Sequence, residues 1–340
     1  MKILFFQQKR ELYYSVHIVF NIVREKLSGA IEQKVLSYNL YGLSPVQKIK
    51  QLFSVSRQEK GDIYHVVEEI NYAVLFMKKR KTILTIHDVM RLYTSKGIKH
   101  FIFKWFWLRL PISRSTLITA VSETSRNEIL KYANCSPSKV RVIHNCISPG
   151  FLPSPKPFNK KKPVLLQIGI KPSKNLNRVI MALEGIECSF KIVGKPSDEA
   201  LELLHLHKID FSWRAELTQQ EIIQAYIDCD MVIFASLYEG FGVPIIEANN
   251  VERAVVTSNC SAMAEVAGAA ACLVDPLNVE SIRIGIKKVI NDDNYREKLI
   301  EEGRKNRTRF DARKIADQYL SLYKEVFLRN KGNILARMDV

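Results

Sequence analysis

A chain of 340 residues, 47% hydrophobic and 25% charged, has the length for two domains and the composition of a soluble globular protein. No run of the roughly 18 apolar residues that a membrane span needs occurs in it, and the polar residues from Gln7 onward come too early for a signal peptide. The six cysteines have no paired spacing, so we expect reduced thiols and a cytosolic protein.

The formal charge of +16 is unevenly distributed along the chain. Residues 1–150 hold 24 Lys and Arg against 10 Asp and Glu, a net of +14, whereas residues 151–340 hold 27 against 25. A basic first half indicates that one domain faces an anionic partner. Anionic lipid head groups and nucleic acid both fit the charge alone, but no nucleic-acid-binding motif is recognisable, so we expect no nucleic acid.

Short β-branched runs alternate with helical patterns in chain order, which predicts parallel sheets with helices on both faces. The predicted strands are "MKILFF", "DIYHVV", "TILTIHD", "TLITAVS", "VRVIHN", "PVLLQIG", "FKIVG", "MVIFAS", "AVVTSN" and "CLVD". Thr218 and Glu221 have the spacing of a capping box. Ser261 is a candidate N-cap, and Gly268 a candidate stop for the same helix.

Residues 151–163, "FLPSPKPFNKKKP", contain four prolines and a lysine run and therefore predict a linker. The prediction is an N-terminal domain over 1–150 and a C-terminal domain over 164–340. Helices are expected from about Asn278 onward, and the last of them to pack back on the N-terminal domain. Ligands of such sheets bind at the carboxyl ends of the strands, here in a cleft between the two domains.

The stretch "SLYEGFGVPIIEANN", residues 236–250, joins a strand to a helix and carries two carboxylates. Gly240 and Gly242 allow backbone N–H groups to approach a ligand closely. Glu239 in the loop and Glu247, predicted in the first helical turn, would accept hydrogen bonds from the paired hydroxyls of a sugar or a ribose. Taken alone, Glu247 would be explained by the helix dipole.

Residues 239–247 match every fixed position of Glu-Gly-Phe-Gly-x-Pro-x-x-Glu. This motif resembles that of family 4 of the retaining glycosyltransferases, which use nucleoside-diphosphate sugars. The resemblance implies the GT-B fold, an α/β architecture of two Rossmann-like, doubly wound domains facing across a cleft. It also implies that Glu239 and the backbone from Gly240 through Phe241 and Gly242 to Val243 hold the transferred sugar, while Glu247 holds the ribose.

Two further stretches carry the resemblance. "VLLQIGIKPSKNLNRVI" is similar to the family's Gly-x-x-x-x-Lys-Asn loop, with Gly169, Lys174 and Asn175 at its fixed positions. It implies that Lys174 neutralises the donor diphosphate and that Asn175 opens the next helix. "TIHDV" resembles the strand end whose histidine, here His87, reaches the transferred sugar in the acceptor-side domain. An isolated lysine would be a solvated surface residue and an isolated histidine a structural one; their positions after strands favour function.

Several positions depart from the family pattern. Ile170 stands where many relatives have a second basic residue, and only Lys171 could replace it. The stretch "QQKRELYYSVHIVF" after the first strand lacks the glycines expected there. Other departures are Glu68, Glu69, Glu252, Ala254 and Ala264. These departures leave open the alternative that the protein is a catalytically weak or inactive relative, which binds a nucleotide sugar and acts as a partner subunit.

Residues 99–114, "KHFIFKWFWLRLPISR", mix aromatic and basic side chains. Periodicity favours a core-packed helix whose cationic head groups reach water. The charge of the first half favours a helix on an anionic membrane surface.

The sequence thus predicts a hexosyltransferase of surface polysaccharide synthesis that moves a hexose to a glycan or a lipid-linked acceptor. It would be cytoplasmic, at the inner face of the membrane. The resemblance implies no cofactor beyond the donor, and no His, Cys and Asp cluster has metal-ligand spacing.

Overall fold

A computed structural model describes residues 1–8, 15–40, 42–57 and 59–338. Residues 9–14, which belong to the stretch without glycine after the first strand, lie outside the described residues. The chain divides into two compact units. The first unit comprises Met1–Cys146 and Ala312–Val340, and the second unit comprises Ile147–Asp311.

Each unit contains one parallel six-stranded sheet within the described residues. The strands of the first unit are β1 (Lys2–Gln8), β2 (Glu32–Tyr38), β3 (Ile63–Val66), β4 (Thr82–Ile86), β5 (Leu117–Ala120) and β6 (Val140–Val142), in the order β2-β1-β3-β4-β5-β6. Those of the second unit are β7 (Val164–Ile168), β8 (Ser189–Val193), β9 (Asp210–Arg214), β10 (Met231–Phe234), β11 (Ala254–Ser258) and β12 (Cys272–Val274), in the order β12-β11-β10-β7-β8-β9. Both orders are doubly wound, as the sequence predicts.

The sequence pattern identifies ten of these twelve strands and misses β2 and β9. Both missed strands lie at the edge of a sheet. Only two of the seven residues of β2 and none of the five residues of β9 are buried, so neither carries a run of apolar side chains. Charged residues are common on edge strands because they discourage pairing with another chain.

Helices connect the strands. The α-helices are α1 (Ser15–Lys26), α2 (Pro45–Arg57), α3 (Met90–Thr94), α4 (Gly97–Ile102), α5 (Leu110–Arg114), α6 (Glu123–Ala133), α7 (Leu176–Leu183), α8 (Asp198–Leu206), α9 (Gln219–Asp228), α10 (Val243–Asn250), α11 (Ser261–Ala267), α12 (Val279–Asn291), α13 (Asp293–Asn306) and α14 (Ala312–Met338). A π-helix, Phe103–Arg109, joins α4 to α5, and 3₁₀ helices cover Asn71–Phe76, Lys79–Lys81, Pro137–Lys139, Pro172–Lys174 and Arg307–Phe310. No described helix has the length and apolar character needed to cross a bilayer.

Two of the three predicted helix signals are confirmed. Thr218 and Glu221 form a capping box at the start of α9, and Gly268, with φ +53°, ends α11. The prediction that Ser261 caps α11 is wrong, because the N-cap is Cys260 and no side chain caps this end. The Ser261 hydroxyl is instead bonded to the backbone of Glu239.

Alternate residues of β1 enter two different cores, which places apolar layers on both faces of the first sheet. Leu4 and Phe6 pack with residues of α2 and the π-helix, while Ile3 and Phe5 pack with α1 and α14. All six cysteines are free, as the sequence predicts.

Helix α14 is tied to the first sheet by a buried polar chain. His65 on β3 bonds through Nδ1 to the Tyr323 hydroxyl at 2.7 Å and through Nε2 to the Thr85 hydroxyl at 2.8 Å. Thr85 in turn bonds to Thr119 at 2.6 Å. Burial lowers the pKa of His65 to about 3, so the imidazole stays neutral, and these hydrogen bonds replace those that its nitrogens would form with water.

We predict that Tyr323→Phe destabilises the protein by about 1–3 kcal/mol, because it leaves one nitrogen of a buried imidazole without a partner. Urea unfolding measures the change. Tyr93→Phe is the matched control, since Tyr93 is half exposed and bonds to the exposed carboxylate of Glu128. Equal effects of the two substitutions would contradict the assignment.

Candidate functional site

Strands β7 and β10 are neighbours and parallel, so the loops that follow them leave the same edge of the second sheet. From β7 the chain continues to β8 and β9 on one side, and β10 begins the other side. This is the switch point of a doubly wound sheet, where ligands of such folds bind.

The two loops bring Lys174 and Glu239 together. Lys174 Nζ lies 2.7 Å from Glu239 Oε1, and each side chain is less than one fifth exposed. Lys174 Nζ also lies 4.7 Å from the centre of the Phe234 ring at the end of β10. The ammonium group is therefore held over the strand ends and is not a freely solvated surface lysine.

Asn175 fixes the loop that carries Lys174. It has φ +60° and immediately precedes α7, as predicted. Its amide nitrogen donates to the carbonyls of Ala235 at 3.0 Å and Pro276 at 2.7 Å, so this buried side chain links three loops. Gln167 on β7 donates to the Lys174 carbonyl at 3.0 Å.

Gly169 has φ +85°, and a Cβ there would lie 3.3 Å from Lys174 Cε. A side chain at this position would be strained and would press on the lysine. The neighbouring Ile170 packs against Gly194, while Lys171 is exposed.

The loop of Glu239 is held by Ser261. The Glu239 N–H donates to Ser261 Oγ at 3.2 Å, and the Ser261 hydroxyl donates to the Glu239 carbonyl at 2.6 Å. The Leu237 N–H donates to the Ser173 carbonyl at 2.7 Å, which joins this loop to the lysine loop. Sequence reasoning gave Ser261 a different role, because a contact across 22 residues leaves no local pattern.

The segment from Gly240 to Val243 turns into α10. Gly242 has φ +114° and is the N-cap of the helix, with Val243 and Pro244 in its first turn. The Phe241 side chain is buried edge-on against Phe310, at 5.5 Å between ring centres. Phe241 can therefore offer a ligand its backbone but not its ring.

Glu247 is buried on α10, where it is the fifth residue. The prediction that it lies in the first turn is wrong, since the helix begins at Val243. Tyr226 on α9 donates its hydroxyl to Glu247 Oε2 at 2.6 Å. Burial raises the pKa of Glu247 to about 7, against the opposing effects of the Tyr226 hydrogen bond and the charge of Lys174. A carboxylate whose pKa is raised this far in a buried setting is typical of a functional site, and helix-dipole complementation does not require such burial.

His87 lies in the first unit, directly after β4. Its Nε2 donates to the Val67 carbonyl at 2.8 Å, and Phe20 packs edge-on against its ring. The next residue, Asp88, accepts from the Met90 N–H at 2.9 Å. Ser122 accepts from the Ser125 N–H as the N-cap of α6, which is a structural role.

Two departures from the family pattern have local explanations. Glu252 has φ +62°, a backbone conformation that glycine adopts without strain, and its carboxylate pairs with Arg304 at 2.9 Å. Glu68 is buried and accepts from the Gln8 N–H at 3.1 Å. Among the described residues no group of three or more His, Cys, Asp or Glu side chains could hold a metal ion.

Comparison with known proteins identifies the class that this fold and site define. The described chain has the GT-B fold. It superposes on the Anabaena protein HepE, which was solved with UDP and glucose, with a TM-score of 0.74 at 16% sequence identity. The superposition covers 95% of this chain and 99% of that protein. The family model "Glycosyl transferases group 1" matches residues 151–306, and "Glycosyltransferase Family 4" matches residues 10–151. The protein belongs to family 4 of the GT-B glycosyltransferases.

Curated relatives share about a quarter of their residues with it. The O-antigen chain mannosyltransferase B of Escherichia coli is 25% identical over 238 residues, which are 64% of this chain and 62% of that protein. The serotype-specific mannosyltransferase WbdA of Escherichia coli is 23% identical over 246 residues, 64% of this chain and 30% of that protein. The chain therefore spans less than two thirds of the length of these relatives.

We predict that Tyr226→Phe raises the pKa of Glu247 above about 7, because the substitution removes the hydrogen bond that stabilises the carboxylate. Carboxyl ¹³C chemical shifts of the free protein, followed through a pH titration, measure this pKa. Tyr295→Phe serves as the control and should leave it unchanged. An unaltered pKa in Tyr226→Phe would show that the hydroxyl does not act on Glu247.

Proposed function

We propose that the protein is a retaining glycosyltransferase that moves a hexose from a nucleoside-diphosphate sugar to a glycan or lipid-linked acceptor in surface polysaccharide synthesis. The observation that carries the proposal is the Lys174–Glu239 pair at the switch point of the second sheet. Relatives named as mannosyltransferases of O-antigen chains, and a structural neighbour solved with UDP and glucose, support it.

In this proposal each group of the site has a separate part of the donor to bind. Lys174 and the N–H groups around Asn175 receive the diphosphate near Gly169. Glu239 and the backbone from Gly240 to Val243 receive the hydroxyls of the sugar. Glu247 accepts hydrogen bonds from the ribose hydroxyls, and His87 contacts the transferred sugar.

The Lys174–Glu239 pair has a use before the donor arrives. Two opposite charges at 2.7 Å compensate each other while the site is free. A nucleotide sugar offers each of them a new partner, since the diphosphate is anionic and the sugar is rich in donors. Binding would exchange one ion pair for two new sets of charge-assisted hydrogen bonds.

Chemistry then follows from charge stabilisation. The bond between the anomeric carbon and the diphosphate oxygen breaks, and its electrons pass to the leaving diphosphate, which Lys174 stabilises. The acceptor hydroxyl attacks the same face of the sugar and passes its proton to the leaving phosphate oxygen, so configuration is retained. With positive charge supplied by Lys174, the proposal includes neither a metal ion nor a further cofactor.

We expect Lys174→Ala to lower turnover by about 10²–10³-fold, because it removes the cation that stabilises the leaving group. Release of nucleoside diphosphate from a panel of nucleotide sugars measures turnover, and Glu239→Ala should also reduce it strongly. Lys298→Ala, at an exposed position on α13, is the control and should change turnover less than about twofold. Normal turnover in Lys174→Ala would end the proposal, whereas binding of a nucleotide sugar without turnover in the unaltered protein would favour an inactive partner subunit.

We further propose that the first unit docks on an anionic bilayer, which would place the protein at the cytoplasmic face of the membrane. The α4–π-helix segment exposes an apolar stripe at helical spacing. Its members are Ile98 (79% exposed), Phe101 (57%), Ile102 (47%), Trp105 (44%) and Phe106 (58%). The exposed Lys96 and Lys99 lie beside it, so the segment combines apolar and cationic groups as interfacial helices do.

A second apolar stripe lies on α2, where Val46, Ile49 and Phe53 are exposed at helical spacing. Both helical segments pack against the 3₁₀ helix Asn71–Phe76: Phe53 stacks edge-on against Phe76, and Asn71 donates to the Trp107 carbonyl. The two stripes therefore belong to the same face of the first sheet, and the net charge of +14 over residues 1–150 complements anionic lipid.

We predict that the protein sediments with vesicles of phosphatidylglycerol and phosphatidylcholine but not with phosphatidylcholine alone. The double substitution Phe101→Ser and Phe106→Ser should weaken this binding by at least about tenfold, since two exposed aromatic side chains lose apolar burial in the bilayer. Leu206→Ser, at an exposed apolar position on α8 of the second unit, is the control. The proposal would be contradicted if the protein bound both vesicle types equally and the aromatic substitutions did not change this binding.

A further inference from the structure

A small cavity lies in the first unit at the carboxyl ends of β3 and β4. Its volume is about 10 Å³, which is room for a single oxygen centre. His87 and Trp107 line it, with Asn71, Glu69 and Asp88 around them. Most of the residues that line it have polar side chains, so the cavity suits a group that forms hydrogen bonds.

The hydrogen bonding of His87 determines which of its ring nitrogens is free to accept. Nε2 lies 2.8 Å from the Val67 carbonyl oxygen, which can only accept, so Nε2 carries the hydrogen. In the neutral ring Nδ1 is then a bare acceptor. Among the described residues no partner reaches this buried nitrogen.

Trp107 supplies the complementary group. Its indole Nε1–H can only donate, is buried, and has no hydrogen-bond partner within residues 1–8, 15–40, 42–57 and 59–338. The residue itself is firmly held, because its carbonyl accepts from Asn71 Nδ2 at 2.9 Å and the Arg91 guanidinium lies 5.8 Å from its ring centre. An orphaned donor in a fixed side chain is a rare feature of a buried site.

Trp107 and Trp105 lie on opposite sides of the π-helix. Trp107 is 7% exposed and Trp105 is 44% exposed, because side chains two positions apart in a helix do not share a face. π-Helical turns inside α-helices are found frequently at functional sites. Here the turn delivers an indole to the same cavity that receives the histidine after β4.

His87 and Trp107 line the same cavity, and a single ligand atom can satisfy both rings if it donates as well as accepts. A hydroxyl oxygen accepts from one group while its hydrogen donates to the other. We propose that His87 and Trp107 together bind one hydroxyl of a sugar, with the hydroxyl donating to His87 Nδ1 and accepting from Trp107 Nε1. This assignment rests on the proposed glycosyltransferase function and adds Trp107 as a second sugar-binding residue of the first unit.

The test observes Trp107 directly. The chain has three tryptophans, so a ¹⁵N-labelled sample gives three indole N–H resonances, and Trp107→Phe identifies one of them by its loss. Methyl α-mannoside, methyl α-glucoside, UDP-glucose, GDP-mannose, UDP and GDP are titrated in turn. We expect the Trp107 resonance to shift to saturation with at least one sugar, while the Trp105 resonance stays in place.

The titration arms separate the two sources of the hydroxyl. A shift with a methyl glycoside assigns the hydroxyl to an acceptor sugar, and a shift with a nucleotide sugar but not with its nucleoside diphosphate assigns it to the donor sugar. Trp107→Phe, which keeps an aromatic ring but removes the N–H, should weaken the affinity for the responding ligand by about tenfold. Trp105→Phe should leave that affinity unchanged.

A Trp107 resonance that responds to none of these sugars would overturn the inference and leave the cavity as the seat of a structural water. The inference would also be overturned if Trp107→Phe bound the responding ligand as tightly as the unsubstituted protein does. Neither readout needs turnover. If the Trp107 resonance responds to a sugar but the protein transfers no sugar, only the transferase proposal is refuted. If the protein transfers a sugar but the Trp107 resonance responds to none, only the hydroxyl site is refuted.

Discussion

The candidate donor site depends on one constraint, the direct pairing of β7 with β10. These strands are separated by more than sixty residues, yet their register places Ile233 beside Gln167. The loops that follow them must therefore meet, and they meet as the Lys174–Glu239 ion pair at 2.7 Å. If β8 or β11 lay between these two strands, the cation and the carboxylate would be separated by a further strand spacing of about 5 Å and could not pair.

Around this pair, the loops and the carboxylates are held in place by hydrogen bonds within the protein. Ser261 holds both backbone groups of Glu239, Asn175 joins three loops, and Tyr226 orients the buried carboxylate of Glu247. Such contacts allow a charged group to remain in one place before a ligand arrives.

The sequence predicted the central strands of both sheets, which are mostly apolar, and the candidate residues Lys174, Glu239 and Glu247. Each of these leaves a local pattern, since Glu239 and Glu247 lie in one short motif and Lys174 lies in another. It could not predict the edge strands β2 and β9, whose residues are mostly exposed. Nor could it predict the roles of Ser261, Tyr226 and Trp107, because each role depends on a contact between segments far apart in the chain.

The chain enters the second unit after Cys146 and leaves it before Ala312, so α14 is the last part of the first unit to be synthesised. Tyr319, Tyr323 and Val326 of this helix cover apolar side chains of β1 and β3. On the ribosome, the second unit has its whole sequence available before the first unit can close. Until α14 emerges, the apolar side chains of β1 and β3 that it packs against lack this part of their cover.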